Sequence, residues 1–246
     1  AGLLREAWEA GQRDFGENYA QELRDKAREL QLEGLRWHAI GRIQRNKAKY
    51  IAPVAYRVHA LETVDQAEAL AKRAPGPLRC LMAVNAGGEE SKGGVPPAQA
   101  LERARALHGV PGIEMVGLMT LPPFREDPED VAPFFEELAH LAARGRADGL
   151  PLTELSMGMS HDFHVAVRHG ATWVRVGSAT VGSARPESTA AAQASFCSFT
   201  TRRSDSRTPA VRRRRTACGD TATARPSTAC DLSSSPMAVW VRASQS

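Results

Sequence analysis

The feature that most constrains this chain is the regular alternation of short apolar strands with amphipathic helices through its first 176 residues. Residues 2–11 (GLLREAWEAG) predict a helix, with Leu3, Leu4, Ala7 and Trp8 on one face and Gly11 as its stop. A strand at Asp14–Gly16 leads to a helix at Ala20–Leu30, and a strand at Arg36–Ile40 to a helix near Gln44–Tyr50. A strand at Tyr56–His59 precedes a helix at Val64–Ala74, and the most apolar strand, Arg79–Val84, precedes a helix over Pro97–Leu107. Ile113–Leu118 is followed by the long helix Pro128–Arg146, in which Val131, Phe134, Phe135, Leu138 and Leu141 recur at helical spacing. The last units are a strand Glu154–Ser156, a helix Asp162–His169 and a strand Trp173–Val176. Seven strands alternating with helices argue for a parallel sheet. A (β/α)8 TIM barrel needs eight. Because the chain opens on Ala1 and on a helix, the expectation is a barrel whose first strand is missing, with an open doubly wound sheet as the weaker alternative. Such a barrel would leave two exposed sheet edges and a marginal, association-prone fold.

From Glu187 onward the composition changes. That segment holds nine Arg, no Lys and four acidic residues, so the net charge of +4 belongs to the tail and residues 1–186 are close to neutral. Residues 187–246 are rich in Ser, Thr, Ala, Arg and Pro and poor in aliphatic periodicity, which predicts disorder, since little apolar burial is available to offset chain entropy. Arg without any Lys reads as a stretch encoded in a shifted frame. Cys197, Cys218 and Cys230 fall here and only Cys80 in the body, without paired metal spacing, so neither a zinc set nor a disulfide frame is expected. No apolar run approaches the roughly 18 residues of a membrane span, and no charged-then-apolar leader opens the chain. A cytoplasmic location is the default expectation.

Three segments sit where barrel strands end, the rim on which sites are built. In Phe15-Gly16-Glu17-Asn18-Tyr19, Gly16 allows a close turn while Glu17 and Asn18 offer polar groups; a plain turn with an Asx cap explains the same residues. In Trp37-His38-Ala39-Ile40-Gly41, His38 is either a satisfied interior histidine or a ligand contact, and the Arg42–Lys49 cluster either a solvated face or an anion site. The third segment pairs Leu155-Ser156-Met157-Gly158-Met159-Ser160 with Val174-Arg175-Val176-Gly177-Ser178-Ala179, at the ends of the last two strands. Barrels bind phosphate on those two loops, so Gly158 and Gly177 would let backbone approach an anion while Ser160 and Ser178 donate hydroxyls. His161, Asp162 and His164 do not form a metal-ligand set, and Walker, dinucleotide and nucleophile-elbow motifs are absent.

The segments FGENYAQE (15–22), WHAIGRIQRNK (37–47), VNAGGEESKGG (84–94), GLM (117–119), LSMGMSHDF (155–163) and GATWVRVGSA (170–179) resemble the YggS/PROSC family of pyridoxal phosphate homeostasis proteins over residues 1–186. That family is similar to the N-terminal barrel domain of alanine racemase. The resemblance implies a pyridoxal 5′-phosphate (PLP) site with its phosphate on the Ser160 loop and the Gly177-Ser178 turn. It implies Arg175 at the pyridine nitrogen, Asn18 and His38 on the ring side, and Met157 and Met159 packed nearby. It also implies cofactor buffering and delivery to PLP-requiring apoenzymes, with no robust catalysis.

One departure stands out. Family members hold the cofactor as a Schiff base on a lysine of the first strand, just upstream of where this chain begins, and Lys26, Lys47, Lys49, Lys72 and Lys92 do not replace it. The expectation is weak, non-covalent capture without Schiff-base absorbance. A racemase-like enzyme is the second reading, and it would require that lysine, a further acid/base and a further domain. Nucleic-acid binding through Arg212–Arg215 is the third, but the run is unspecific and has no interleaved aromatics.

Overall fold

The computed structural model describes residues 2–89, 92–177 and 238–242. Helix α1 (Gly2–Glu9) leads into β1 (Asp14–Glu17), α2 (Ala20–Glu29), β2 (Arg36–Ala39), α3 (Ala48–Ile51), β3 (Ala55–Leu61) and α4 (Val64–Ala71). Then follow β4 (Leu78–Val84), α5 (Ala100–His108), β5 (Ile113–Thr120), α6 (Ala132–Ala147), β6 (Glu154–Ser156), α7 (Phe163–Arg168), β7 (Trp173–Val176) and β8 (Ala238–Arg242). Strands β1 to β7 pair in sequence order, all parallel, and the sheet closes into a barrel. The expected alternation is therefore present strand for strand, with shifts of a few residues at the ends. Prolines open the helical turns preceding α5 and α6 as single 3-10 turns, where the missing N–H costs nothing.

Closure is where the structure departs from expectation. The edges of β1 and β7 are both covered by β8, which runs antiparallel, pairing Phe15 with Val239 and Gly16 with Ala238 on one side. On the other side it pairs Trp173 with Arg242, Val174 with Val241, Arg175 with Trp240 and Val176 with Val239. Open edges present unpaired N–H and C=O groups that an extended segment of β formers can satisfy, and Val239-Trp240-Val241 is such a run. Averaged tail composition hid it. The expected disorder thus does not hold at Ala238–Arg242; Ser178 and the rest of the tail, with Arg212–Arg215 and the three tail cysteines, lie outside the described residues.

Alternation along the strands separates two layers. Phe15, Val58, Cys80, Met82, Leu118, Leu155 and Val174 pack against the helices, where Leu23, Leu70, Leu107, Phe135 and Leu138 are fully buried. Burial pushes the Cys80 thiol far up, leaving it inert as a nucleophile. In α6 the stripe Phe135, Leu138, Leu141 and Ala142 faces the sheet, while Phe134 sits at its margin. Ahead of α4, Thr63 and Gln66 make a reciprocal capping box, and Gln66 Nε2 also donates to the Ile43 carbonyl at 2.9 Å, tying α4 to the β2 turn. The other strand face lines the lumen with Asp14, His38, His59 and Ser156 among polar groups, and with Leu81, Ala83 and Met119 among apolar ones.

Two outcomes follow from this packing. Phe135→Ala is expected to lower the urea-unfolding free energy by about 3–5 kcal/mol, because it empties a fully buried site. Val239→Pro removes a ladder donor from the closing strand; calorimetry should show a lower melting temperature and light scattering more association than in the unaltered protein.

Candidate functional site

Parallel strands place every C-terminal strand end on one rim, and β6 and β7 build its most structured part. The two strands share a single ladder pair, Ser156 with Trp173. Their loops continue the join: Met157 N donates to the Trp173 carbonyl at 3.1 Å and Arg175 N to the Gly158 carbonyl at 2.9 Å. Gly177 N then donates to Ser160 Oγ at 3.1 Å. Since that hydroxyl accepts from Gly177, its own O–H is left to donate outward at the rim. The Asp162 carboxylate stiffens the same loop by accepting from Met159 N at 2.6 Å. Gly158 adopts φ +94°, and a Cβ there would stand 2.6 Å from Ala166 Cβ, so the close approach it permits is that of α7.

Beneath these turns lies Arg175, a buried guanidinium on β7. Desolvation holds its pKa down to about 10, with the Asp162 charge acting the other way. It stays charged at neutral pH. A desolvated cation near a hydroxyl donor suits an anionic ligand.

Asn18 lies exposed at the end of β1, with its backbone N–H bonded to Glu17 Oε1 at 2.8 Å. The β1 and β2 turns touch so closely that a Cβ on Gly41 would come within 1.9 Å of the Asn18 carbonyl oxygen. His38 is fully buried, and both ring nitrogens are engaged, Nε2 with Asp14 at 2.9 Å and Nδ1 with His59 Nε2 at 2.8 Å. Its ring is enclosed in the lumen, beside His59 and Trp173. Met157 is fully buried in the helix-facing core, because the alternation that turns Ser156 into the lumen turns its neighbour outward. Gly158, Ser160, Arg175 and Gly177 come together; Asn18 stands on the rim at another strand end. His161 leaves the loop outward to the Glu126 carbonyl and stacks on Phe124 at 5.3 Å. Among the described residues no cluster of three metal-ligating side chains occurs.

The lumen holds groups that the sequence reading passed over. Asp14, His59 and Ser156 join His38 in one network, and Arg57 pairs with Glu154 at 2.9 Å while its guanidinium lies 4.6 Å from the Trp173 ring centroid. The available signal was polar residues at alternate positions of otherwise apolar strands, such as His38 on β2 and Arg57 with His59 on β3. Among the described lysines none stands on a strand; Lys26 pairs with Glu17 and Glu22 on the helix side, and Lys92 with Glu89 on the β4 loop.

Residues 1–185 match the family model of the alanine racemase N-terminal domain. The pyridoxal phosphate homeostasis protein of Aquifex aeolicus is 41% identical over 184 residues, covering 73% of this chain and 81% of that protein. The chain belongs to the pyridoxal phosphate homeostasis protein family. Its family relative in Pseudomonas aeruginosa is 40% identical over 192 residues, covering 74% of this chain and 80% of that one. Among solved structures, PipY of Synechococcus elongatus without PLP aligns at TM-score 0.67 and 35% identity, covering 72% of this chain and 85% of that chain. The same protein with PLP bound aligns at TM-score 0.65 and 34% identity, again covering 72% and 85%. The family resemblance read from the motifs and the racemase-type barrel are both borne out. Among the described residues no helix is long and apolar enough to cross a membrane.

The buried histidines set a pH signature. Burial lowers the pKa of His38 and, further, of His59, where the charges of His38, Arg57 and Arg175 add to desolvation. Between the lowered folded values and the ordinary 6.5, the unfolded chain takes up protons that the folded chain refuses. Their contribution to stability is therefore full above about pH 6.5 and is lost as pH falls below it. Urea midpoints should drop between pH 7.5 and pH 5.5, and His59→Gln should flatten that slope; an unchanged slope would contradict the assignment.

Proposed function

We propose that this protein binds pyridoxal 5′-phosphate at the β6–β7 rim and serves intracellular PLP homeostasis, holding the cofactor and passing it to PLP-requiring apoenzymes in the cytoplasm. What carries the reading is the Ser160 hydroxyl, fixed by Gly177 N–H on the loop after β6, together with the Arg175 cation buried on β7 two residues before Gly177. A phosphate has acceptor oxygens to match the hydroxyl, and a pyridine nitrogen has a lone pair to match the guanidinium. The naming of relatives as pyridoxal phosphate homeostasis proteins, and PipY solved with PLP bound, support the same ligand.

In this reading Ser160 and the Gly177-Ser178 turn hold the phosphate, and Arg175 donates to the ring nitrogen. Gly158 keeps the loop in place, while Asn18 and His38 flank the pyridine. When bound, PLP supplies an electrophilic aldehyde for amines. Arg175 presents a cation that does not give up its proton easily, so a ring nitrogen facing it stays unprotonated and the site favours storage over turnover. Capture is non-covalent, as no described lysine stands on a strand to reach the lumen.

Titration of the full chain with PLP should give saturable binding, weakened about tenfold by Ser160→Ala, a loss equivalent to roughly one charge-assisted hydrogen bond. Arg175→Ala should weaken it further. Borohydride reduction followed by intact-mass measurement should leave the protein without a pyridoxyl adduct. Saturation unaffected by either substitution would sink the rim site, and a stable adduct would sink non-covalent capture.

A further inference from the structure

Three consecutive side chains fasten the turn after β6 in three directions. Ser160 Oγ accepts from Gly177 N at 3.1 Å, which ties the turn to the end of β7. Asp162 Oδ1 accepts from Met159 N at 2.6 Å, which closes the turn on its own start. His161 reaches away from both, to the loop between β5 and α6. Its Nε2 meets the Glu126 carbonyl at 3.1 Å, and its ring lies 5.3 Å from that of Phe124, centroid to centroid, at an interplanar angle of 36°. A carbonyl only accepts, so the hydrogen is on His161 Nε2.

The β5–α6 loop is anchored well enough to serve as the post for that outward tie. It runs between buried Thr120, the last residue of β5, and buried Val131. Lys92 Nζ, on the β4 loop, donates to the Pro122 carbonyl at 3.1 Å. Arg168 of α7 donates to both oxygens of the Glu129 carboxylate, at 2.6 and 2.5 Å. Phe124 lies between these anchors with 70% of its surface exposed. An exposed phenyl ring adds little to the core; here it holds the His161 imidazole in a tilted aromatic pair. The imidazole is thus gripped twice, by a hydrogen bond and by a ring contact, on a loop secured on either side.

We propose that His161 is a positioning residue for the Ser160 turn and that Phe124 acts through it, so that the β5–α6 loop sets how long a bound phosphate ester is retained. This rests on the reading that Ser160 contacts the phosphate. A three-residue turn has few bonds of its own, so losing the outward tie raises the share of time in which the Ser160–Gly177 bond is open. A hydroxyl whose direction wanders donates to the phosphate for less of that time. Residence shortens, while the encounter that brings the ligand to the rim is unaffected.

Amide hydrogen exchange on the full chain, read by NMR, tests the tie without any ligand. The Gly177 amide should exchange about fivefold faster in His161→Ala, the worth of roughly one hydrogen bond, while amides of β4 keep their rates. Phe124→Ala should give a smaller rise, and His161→Gln, which keeps the donor and loses the ring, should match it. The double variant should exchange no faster than His161→Ala alone, because Phe124 acts only through His161. An unchanged Gly177 rate, a rise shared by β4, or a double variant that exceeds His161→Ala overturns the tie. Stopped-flow dissociation of PLP should show the off-rate rising in the same order with the on-rate unchanged. An altered on-rate, or an off-rate indifferent to Phe124→Ala, overturns the control of retention. If PLP does not bind the unaltered chain, the function proposed above falls and retention with it, while exchange at Gly177 still judges the tie.

Discussion

The rim depends on how β6 and β7 are joined. These strands are short and share one ladder pair, so the join is carried beyond them by Met157 N, Arg175 N and Gly177 N, each donating across the gap. The last of these bonds lands on a side chain, so fixing the backbone and orienting Ser160 are one event. Gly158 makes this possible, because only without a Cβ can the loop turn at positive φ while α7 packs against it. Geometry suited to an anion thus arises from a sheet seam that has run out of strand.

The lumen works on a different principle. A barrel of this kind usually fills its interior with branched aliphatics. Here the lumen carries Asp14, His38, His59, Ser156 and Arg175, and near its N-terminal end the Arg57–Glu154 pair. Burying such groups is tolerable when they are bonded, and the Asp14–His38–His59–Ser156 line meets that condition by running two imidazoles from a carboxylate to a hydroxyl. Glu154 is ion-paired with Arg57 at 2.9 Å and accepts from the Trp173 indole at 2.7 Å, so one carboxylate fixes a cation and an aromatic together. These contacts cost desolvation and return little net stability, but they leave few alternative arrangements for the strands that bear them.

How legible was this in the sequence? The order of elements was, because strand-helix alternation is a periodic signal and survives errors at its ends. The helix Pro128–Arg146 illustrates it: four of its five marked apolar positions are buried, and only Phe134 is marginal. The loops bearing Gly158, Ser160 and Gly177 were legible as well, since glycine and serine after two successive strands are local cues. Met157 was misplaced for a reason of parity: a residue next to a lumen-facing serine must face the helices. The Asp14–His38–His59–Ser156 line was hidden because its members come from four strands up to 142 positions apart, and distance in sequence carries no trace of contact. Closure by Ala238–Arg242 escaped notice because three β formers, Val239, Trp240 and Val241, vanish in a sixty-residue average.

Trp173 occupies an unusual station among these groups. Its indole N–H is tied to Glu154, Arg57 lies over its ring, and His38 stands 5.2 Å away, centroid to centroid. It is thereby a fluorophore built into the wall of the chamber, rigidly mounted and surrounded by groups whose charge and hydrogen bonding govern its emission. If a conjugated pyridine binds at the rim as proposed, energy transfer from this indole would report its arrival.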